Sequence, residues 1–293
     1  MAADPTYPLF PIFATTSAAP LLLVLTTSFV RQSWNLGVLF LCSWLFWELL
    51  TLAINAIVWA DDAGVRLYIY CDIGTTLGVH IRDRLRETWR SYTLADLYLD
   101  ISSNMQNCGN AICLAARPLN LHASLLDYIQ QSARFQVLEG YGCANSYNTS
   151  CFTIITVHSW TVTLPSVSIL FYCRAYITAD TNEFLQNDTS VSRPSYFRLL
   201  ALASVDAVLT LPIGIANVIE QTYNFAPGHS FPLFVGWTLT HSDWAPISVS
   251  YADIQAAGSW SFTNYYLGSW SSGALALVMF SLFGLTPEAR ATY

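Results

Sequence analysis

Residues 36–60 read LGVLFLCSWLFWELLTLAINAIVWA, an apolar stretch rich in Leu, Phe and Trp in which Glu48 is the one charged side chain. A helix needs about 20 predominantly apolar residues to cross the hydrocarbon core of a bilayer. The stretch is long enough, so it predicts a membrane-spanning helix. Four more runs of the same kind predict spans at 8–30, 152–173, 199–219 and 260–285.

The composition of the whole chain favours the same class of protein. Of its 293 residues, 54% are hydrophobic and 11% are charged, whereas soluble domains carry roughly 25% charged residues. Twelve Arg, no Lys and nineteen acidic residues give a net charge of −7, which is unfavourable for a nucleic-acid partner. The sequence contains no nucleophile elbow, phosphate-binding loop or dinucleotide fingerprint. We therefore expect an integral membrane protein that is not an enzyme and needs no cofactor or metal.

Two weaker segments raise the predicted number of spans to seven. Residues 101–116 are apolar but short, and residues 121–138 could form a helix but contain Asp127 and Arg134. With seven spans and an outside N-terminus, the arginines obey the positive-inside rule. The inner ends then carry Arg31, Arg117, Arg174, Arg193, Arg198 and Arg290, and the outer side carries Arg66 and Arg134. The sequence thus predicts an all-α membrane protein, with one seven-helix transmembrane bundle over 1–293.

Short motifs follow one another in a fixed order along nearly the whole chain. They include Asp4-Pro-Thr-Tyr-Pro, Gln32-Ser-Trp-Asn, Ile54-Asn-Ala-Ile-Val-Trp, Cys71-Asp-Ile, Tyr128-Ile-Gln-Gln-Ser-Ala-Arg-Phe, Asn182-Glu-Phe-Leu, Tyr196-Phe-Arg-Leu-Leu and Phe283-Gly-Leu-Thr-Pro-Glu-Ala-Arg. In this order they resemble the fungal mating-type pheromone receptors of the a-factor receptor type, which are seven-span G-protein-coupled receptors. The resemblance implies a multi-pass protein of the plasma membrane that binds a lipidated peptide pheromone outside and activates a heterotrimeric G protein inside.

The inner face and one helix gain expected roles from this resemblance. Arg117, Arg174, Arg193 and Arg198 would lie on the face that meets the G protein, although anchoring of the span ends would account for them as well. Pro212 lies within a predicted span, where proline leaves a helix kinked and incompletely bonded. We therefore expect Pro212 to act as a helix pivot.

The predicted outer face contains candidates for covalent modification. Cys71 and Cys143 would both lie there, where oxidising conditions permit a disulfide. Cys151 competes for either partner, and the pairing cannot be read from the sequence. Asn148 begins a glycosylation sequon in the same outer loop, whereas the sequon at Asn187 falls on the predicted inner side. We expect only Asn148 to be modified.

Two departures from the family pattern affect the third and fourth spans. Residues 74–100 interrupt the third span with closely spaced charges, which are costly in hydrocarbon. Without them, 67–73 and 101–117 join into a run of 24 residues, or about 36 Å of helix. We therefore expect an inserted segment, such as a retained intron; the alternative is a real outer-loop helix on the membrane surface. The fourth-span region at 121–138 is short and polar.

Two other functions remain open on the sequence alone. Glu48 and Asp206 are carboxylates within predicted spans, and a small multi-span transporter would use such groups. The two departures instead favour a relative of the receptors that does not signal, or one whose amino-acid sequence is mis-predicted from its gene. His229, His241 and Asp243 precede the last span, but their spacing matches no familiar metal site, and we expect them to be polar loop residues.

Overall fold

The computed structural model describes residues 4–30, 36–75, 128–159, 161–163, 165–166, 169–170, 193–223 and 232–286. Within these ranges lie four long helices, α1 (Leu9–Val30), α2 (Leu36–Val58), α3 (Arg193–Tyr223) and α4 (Ser259–Met279). Each contains a stretch that is long and apolar enough to cross a membrane. The four helices coincide with the spans predicted at 8–30, 36–60, 199–219 and 260–285. A mostly helical membrane protein is therefore confirmed.

The four helices pack around one apolar core. Leu21 of α1, Leu45 and Leu49 of α2, Leu202 of α3 and Met279 of α4 are fully buried in it. Since lipid tails are as apolar as these side chains, close van der Waals packing rather than hydrophobic exclusion joins such helices. Small residues allow this close approach; for example, Ala14 and Ala18 of α1 lie in the same core.

The span predicted at 152–173 is helical at each of its described residues, which are 152–159, 161–163, 165–166 and 169–170. Ser150 caps the helical turn Cys151–Thr153, because its hydroxyl oxygen accepts a hydrogen bond from the Thr153 amide at 3.2 Å. The turn continues into a π-helix at Ile154–His158. A second π-helix, Phe280–Gly284, extends α4.

The weak fourth span predicted at 121–138 is wrong for residues 131–138. These residues form a strand, β1 (Gln131–Leu138), which pairs antiparallel with β2 (Gly142–Tyr147). Ala133, Phe135 and Val137 are fully buried, whereas Arg134 between them is largely exposed. This alternation has the period of two that places successive side chains on opposite faces of a sheet.

A third strand also corrects the prediction of an all-α protein. Residues Ile247–Val249 form β3, which pairs parallel to β1 and gives the strand order β2-β1-β3. In the register, Gln136 lies opposite Ile247 and Leu138 lies opposite Val249. Two short helices, Trp237–Thr240 and Tyr251–Ala256, flank β3.

The sheet lies over the end of the bundle at which α1 begins and α2 ends. Beneath it, Trp59 and Cys71 pack with Phe135 and Val137 in a second, smaller core. We call residues 59–67, 128–150 and 232–258 the cap, and the end that they cover the capped end. Arg193, the first residue of α3, lies at the opposite end of the bundle.

Candidate functional site

A disulfide fastens the cap to the bundle. The structure joins Cys71, in the helical residues 68–75, to Cys143 on β2, with 5.4 Å between the two Cα atoms. Cys151, the competing cysteine, is a free thiol in the structure. The bridge therefore connects the β1-β2 hairpin directly to the start of the predicted third span.

An ion pair beside the disulfide fixes the same two elements. The Nε atom of Arg134 on β1 donates to Oδ1 of Asp72 at 2.8 Å, and its Nη2 atom pairs with Oδ2 of the same carboxylate. This hydrogen bond and the charge of Asp72 raise the pKa of Arg134 above its ordinary value. Because both side chains are substantially exposed, the pair contributes orientation more than stability.

The hairpin turn at 139–141 bonds the residue that follows α2 and the segment that precedes α4. The Gly140 amide donates to the Trp59 carbonyl at 2.6 Å, and the Glu139 amide donates to the Val249 carbonyl at 3.1 Å. The Glu139 side chain accepts from the Tyr251 amide at 2.7 Å. One short turn therefore links three parts of the chain that are distant in sequence.

The N-terminal segment is anchored under the same turn by Asp4. Asp4 is 7% exposed, and its carboxylate accepts hydrogen bonds from the amide and hydroxyl of Thr6 at 2.8 and 2.7 Å. It also accepts a hydrogen bond from the hydroxyl of Tyr266 on α4. The ring of Tyr141 packs edge-on against that of Tyr266. Burial raises the pKa of the Tyr141 phenol above its ordinary value.

An aromatic cluster forms one rim of the cap. The His241 ring stacks between the rings of Trp237 and Trp244, with ring centroids 3.9 and 4.9 Å away. The Tyr128 ring contacts all three rings. The two ring nitrogens of His241 lie 3.1 and 3.2 Å from the carbonyl oxygens of Trp237 and Tyr128. His241 thus joins the two loop segments of the cap through an aromatic stack.

This rim presents apolar side chains outward. Leu233 is 74% exposed, Leu239 is 69% exposed and Trp237 is 51% exposed. Such residues are suited to a membrane interface or to an apolar ligand, since Trp rings prefer the boundary between lipid and water.

Carboxylates inside the bundle are hydrogen-bonded to α4. Glu48 of α2 accepts from Trp44 Nε1 at 2.8 Å and from Ser272 Oγ at 3.0 Å. Near the capped end, Glu220 of α3 accepts from Asn264 Nδ2 at 2.9 Å. Asp206, the other carboxylate singled out from the sequence, lies in α3, but its side chain is outside the described part.

The sequon residue Asn148 is tightly packed. Its amide donates to the Gln130 carbonyl at 3.0 Å, and its own carbonyl accepts from the Thr153 hydroxyl at 2.7 Å. Its side-chain nitrogen, where a glycan would be attached, is buried and has no hydrogen-bond partner among the described residues. Glycosylation at this position therefore requires modification before the segment packs.

The remaining predicted residues separate into two groups. Pro212 lies inside α3, and Arg193 and Arg198 lie in its first turns. At Gly214, an added Cβ would lie 2.7 Å from the Thr161 carbonyl oxygen, so α3 closely approaches that residue. The others fall outside the described residues: Arg117, Arg174, Asn187, His229 and the segments 76–100 and 101–117.

Sequence reasoning missed the donors on α4. Asn264, Tyr266 and Ser272 each bond a carboxylate from another element, yet none was singled out. A usable signal existed, because polar side chains within a span tend to bond across helices. Their partners could not be assigned without the relative rotation of the helices.

The chain is similar to known proteins over most of its length. Residues 9–82 and 101–293 match the family model of the pheromone A receptor, STE3, while 83–100 stay outside the match. The chain is 29% identical to the Pheromone B alpha 2 receptor of Schizophyllum commune, over 99% of this chain and 46% of that protein. It is 22% identical to Pheromone receptor 2 of Mycosarcoma maydis, over 89% of this chain and 78% of that protein.

The chain matches only part of the length of some of these relatives. The chain spans about half the length of the Schizophyllum relatives, since the Pheromone B alpha 3 receptor of strain H4-8 is likewise covered over 47% of its length at 27% identity. No solved structure matches the chain significantly. Because the family model covers most of the sequence in one order, the chain belongs to the STE3 family of pheromone A receptors.

Proposed function

We propose that this chain is a G-protein-coupled receptor of the plasma membrane that binds a lipidated mating-pheromone peptide. The capped end receives the peptide, and the opposite end activates a heterotrimeric G protein. The observation that carries the proposal is the family match over 9–82 and 101–293. The family that matches the chain consists of receptors and not of enzymes.

The disulfide supports an outward orientation of the capped end. Disulfides persist in oxidising compartments and are rare in the cytosol, and the Cys71–Cys143 bridge lies at this end. The N-terminus then lies outside. Arg193 and Arg198, at the opposite end of α3, fall on the inner side, which agrees with the positive-inside rule. They would contribute to the G-protein face together with Arg117 and Arg174.

The surface of the cap supports a ligand with an apolar part. Leu233, Trp237 and Leu239 of the cap are exposed and apolar, which suits contact with the lipid group of such a peptide. The sheet beneath it is tied to the bundle by the disulfide and the hairpin turn. A peptide that binds here would act on several helices at once and shift the bundle between two packings.

The test is a pheromone response in a fungal strain that lacks its own receptor and carries a G-protein-dependent reporter. Candidate peptides from compatible mates are applied with and without their C-terminal prenyl group. We expect a dose-dependent response that is at least about a hundredfold weaker without the prenyl group, because each buried methylene adds to membrane binding. A tagged receptor that reaches the cell surface and answers none of the peptides would overturn the proposal.

A second candidate is a non-signalling relative. It is favoured by the segment 74–100, of which 83–100 lie outside the family match. Sequencing of the full-length transcript across the region that encodes 67–143 tests it. A message without 74–100 would mean that the segment is a retained intron and that the shorter chain is the receptor. If the message retains 74–100, the chain and a variant lacking that segment are compared in the reporter strain. A response only from the variant would support the silent relative.

A further inference from the structure

Three neutral side chains of α4 donate hydrogen bonds to carboxylates on three different elements. Asn264 bonds Glu220 of α3 at 2.9 Å, and Ser272 bonds Glu48 of α2 at 3.0 Å. Tyr266 bonds Asp4 of the N-terminal segment. We call these three pairs the α4 carboxylate contacts.

The contacts point in different directions from the helix axis. An α-helix turns by about 100° and rises by 1.5 Å per residue. Relative to Asn264, Ser272 therefore lies about 80° around the axis and about 12 Å along it, and Tyr266 lies about 200° around. A large rotation or a slide of α4 would break the contacts together, so they fix both the rotation and the height of this helix.

The surroundings make the Ser272 and Asn264 contacts costly to lose. Ser272 is 2% exposed and Asn264 is 8% exposed, and inside a bilayer no bulk water replaces a lost partner. A carboxylate that loses its donor there is strongly destabilised. Glu48 is also held by Trp44, one turn earlier on α2, so its carboxylate stays in place as an acceptor for α4.

The cap connects to the same contacts. The Tyr266 hydroxyl lies 3.3 Å from the Tyr251 hydroxyl, and the Tyr251 amide donates to Glu139 of the hairpin turn. A displacement of the hairpin is therefore transmitted to the Tyr266–Asp4 contact. The Ser272–Glu48 contact lies farther from the cap than the Tyr266–Asp4 contact. Loss of the Ser272–Glu48 contact therefore indicates that α4 has moved as a whole.

We propose that the α4 carboxylate contacts hold the receptor in its resting conformation and that ligand binding releases α4 by breaking them. This proposal rests on the receptor function proposed above. It assigns Glu48, Glu220 and Asp4 as positioning residues for α4, and it gives the intramembrane carboxylates a role in signalling rather than in transport.

The first test measures ligand-independent signalling of Ser272→Ala in the reporter strain. The matched control is Ser271→Ala, because the Ser271 hydroxyl donates only to the Gly268 carbonyl of its own helix among the described contacts, at 3.0 Å. We expect basal output to rise about tenfold in Ser272→Ala, since one hydrogen bond to a charged group has this order of effect. Ser271→Ala and the hydroxyl-preserving Ser272→Thr should stay near the wild-type level.

A double-mutant cycle assigns the effect to the pair. Glu48→Ala should raise basal output as Ser272→Ala does, and the double variant should rise no further than the larger single change, because both remove the same contact. Glu48→Gln keeps an acceptor oxygen and should stay closer to wild type. A double variant whose effect equals the product of the two singles would overturn the assignment to this contact.

A second measurement does not depend on signalling. Hydrogen exchange of the α4 amides is compared in purified wild type, Ser272→Ala and Ser271→Ala, with α1 as an internal control for folding. We expect faster exchange of α4 in Ser272→Ala alone. If the wild type answers pheromone but Ser272→Ala has normal basal output and exchange, this proposal fails and the receptor function stands. If the wild type answers no pheromone, the receptor function and the signalling role of the contacts are both overturned. The exchange data then decide whether the contacts restrain α4.

Discussion

Gly142 is a position where backbone conformation and packing both require glycine. Its φ is +82°, and an added Cβ would lie 2.5 Å from Cβ and Cγ of Asn55. Asn55 cannot easily move away, because its side-chain oxygen accepts a hydrogen bond from Tyr70 at 2.8 Å. The start of β2 is therefore pressed against α2, and this contact sets the height of the hairpin above the bundle.

We expect Gly142→Ala to lower the free energy of unfolding by about 2–4 kcal/mol, through backbone strain and overpacking together. Thermal unfolding of the solubilised receptor measures this. The control is Gly236→Ala, where φ is +91° but no atom of the described residues lies within 4 Å of the added Cβ. It should cost only the backbone strain, about 1–3 kcal/mol, because a positive φ with an extended ψ of 142° is close to a region that only glycine adopts readily. Equal losses at the two sites would show that the contact with Asn55 is unimportant.

At the scale of elements, the hairpin depends on its disulfide. The bridge spans 72 residues, and in the chain-entropy model a loop of that length contributes about 4 kcal/mol to stability. Cys71→Ser, Cys143→Ser and the double variant should therefore all lose thermal stability by a similar amount, and a reductant should bring the wild type to their level. Cys151→Ser should behave as wild type. If Cys151→Ser proved as damaging as the others, the bridge would involve Cys151 instead.

The helix α3 carries the proposed pivot. Pro212 has no amide hydrogen, so the Val208 carbonyl one turn earlier lacks its helical partner and the helix can bend there. We expect Pro212→Ala to reduce the maximal pheromone response at least about threefold, because helical bonding at 212 stiffens α3, while cell-surface expression is kept. Pro20 lies inside α1, and Pro20→Ala is the matched control that should leave the dose–response curve unchanged. An unchanged response in Pro212→Ala would remove the pivot from the mechanism.

The sequence predicted the long helices because length and apolar character suffice for a span. The hairpin carried a signal that was outweighed. Ala133, Phe135 and Val137 alternate with polar residues, and Gly140 and Gly142 follow, which is a strand pattern closed by a turn. The competing signal is the arginine distribution, because counting 121–138 as a span lets the arginines obey the positive-inside rule.

The pairing of β1 with β3 could not be predicted from local pattern. The partners Gln136 and Ile247 lie about 110 residues apart along the chain, and β3 has only three residues, which is the lower end of the usual range of strand lengths. Likewise, Glu48 stood out as a carboxylate within a span. Its partner Ser272 did not, since the pairing depends on how α2 and α4 are rotated against each other.

At the scale of the whole molecule, orientation is the property to test. Ala252 in the cap is exposed, and Leu285 beyond α4 at the other end is 42% exposed. In a background without other free cysteines, Ala252→Cys should react with a membrane-impermeant maleimide on intact cells, because the capped end faces outward. Leu285→Cys should react only after permeabilisation. The reverse pattern of labelling would place the disulfide and the N-terminus inside the cell.

The three-stranded sheet also has a consequence for how relatives of this chain can recombine. Its central strand β1 takes one neighbour from the adjacent residues 142–147 and the other from residues 247–249. A hybrid that takes 131–147 from one parent and 247–249 from another brings together strands that never evolved side by side. A hybrid that exchanges both stretches keeps each pair of facing residues from one parent, so we expect any recognition preference encoded in this sheet to follow the two stretches together.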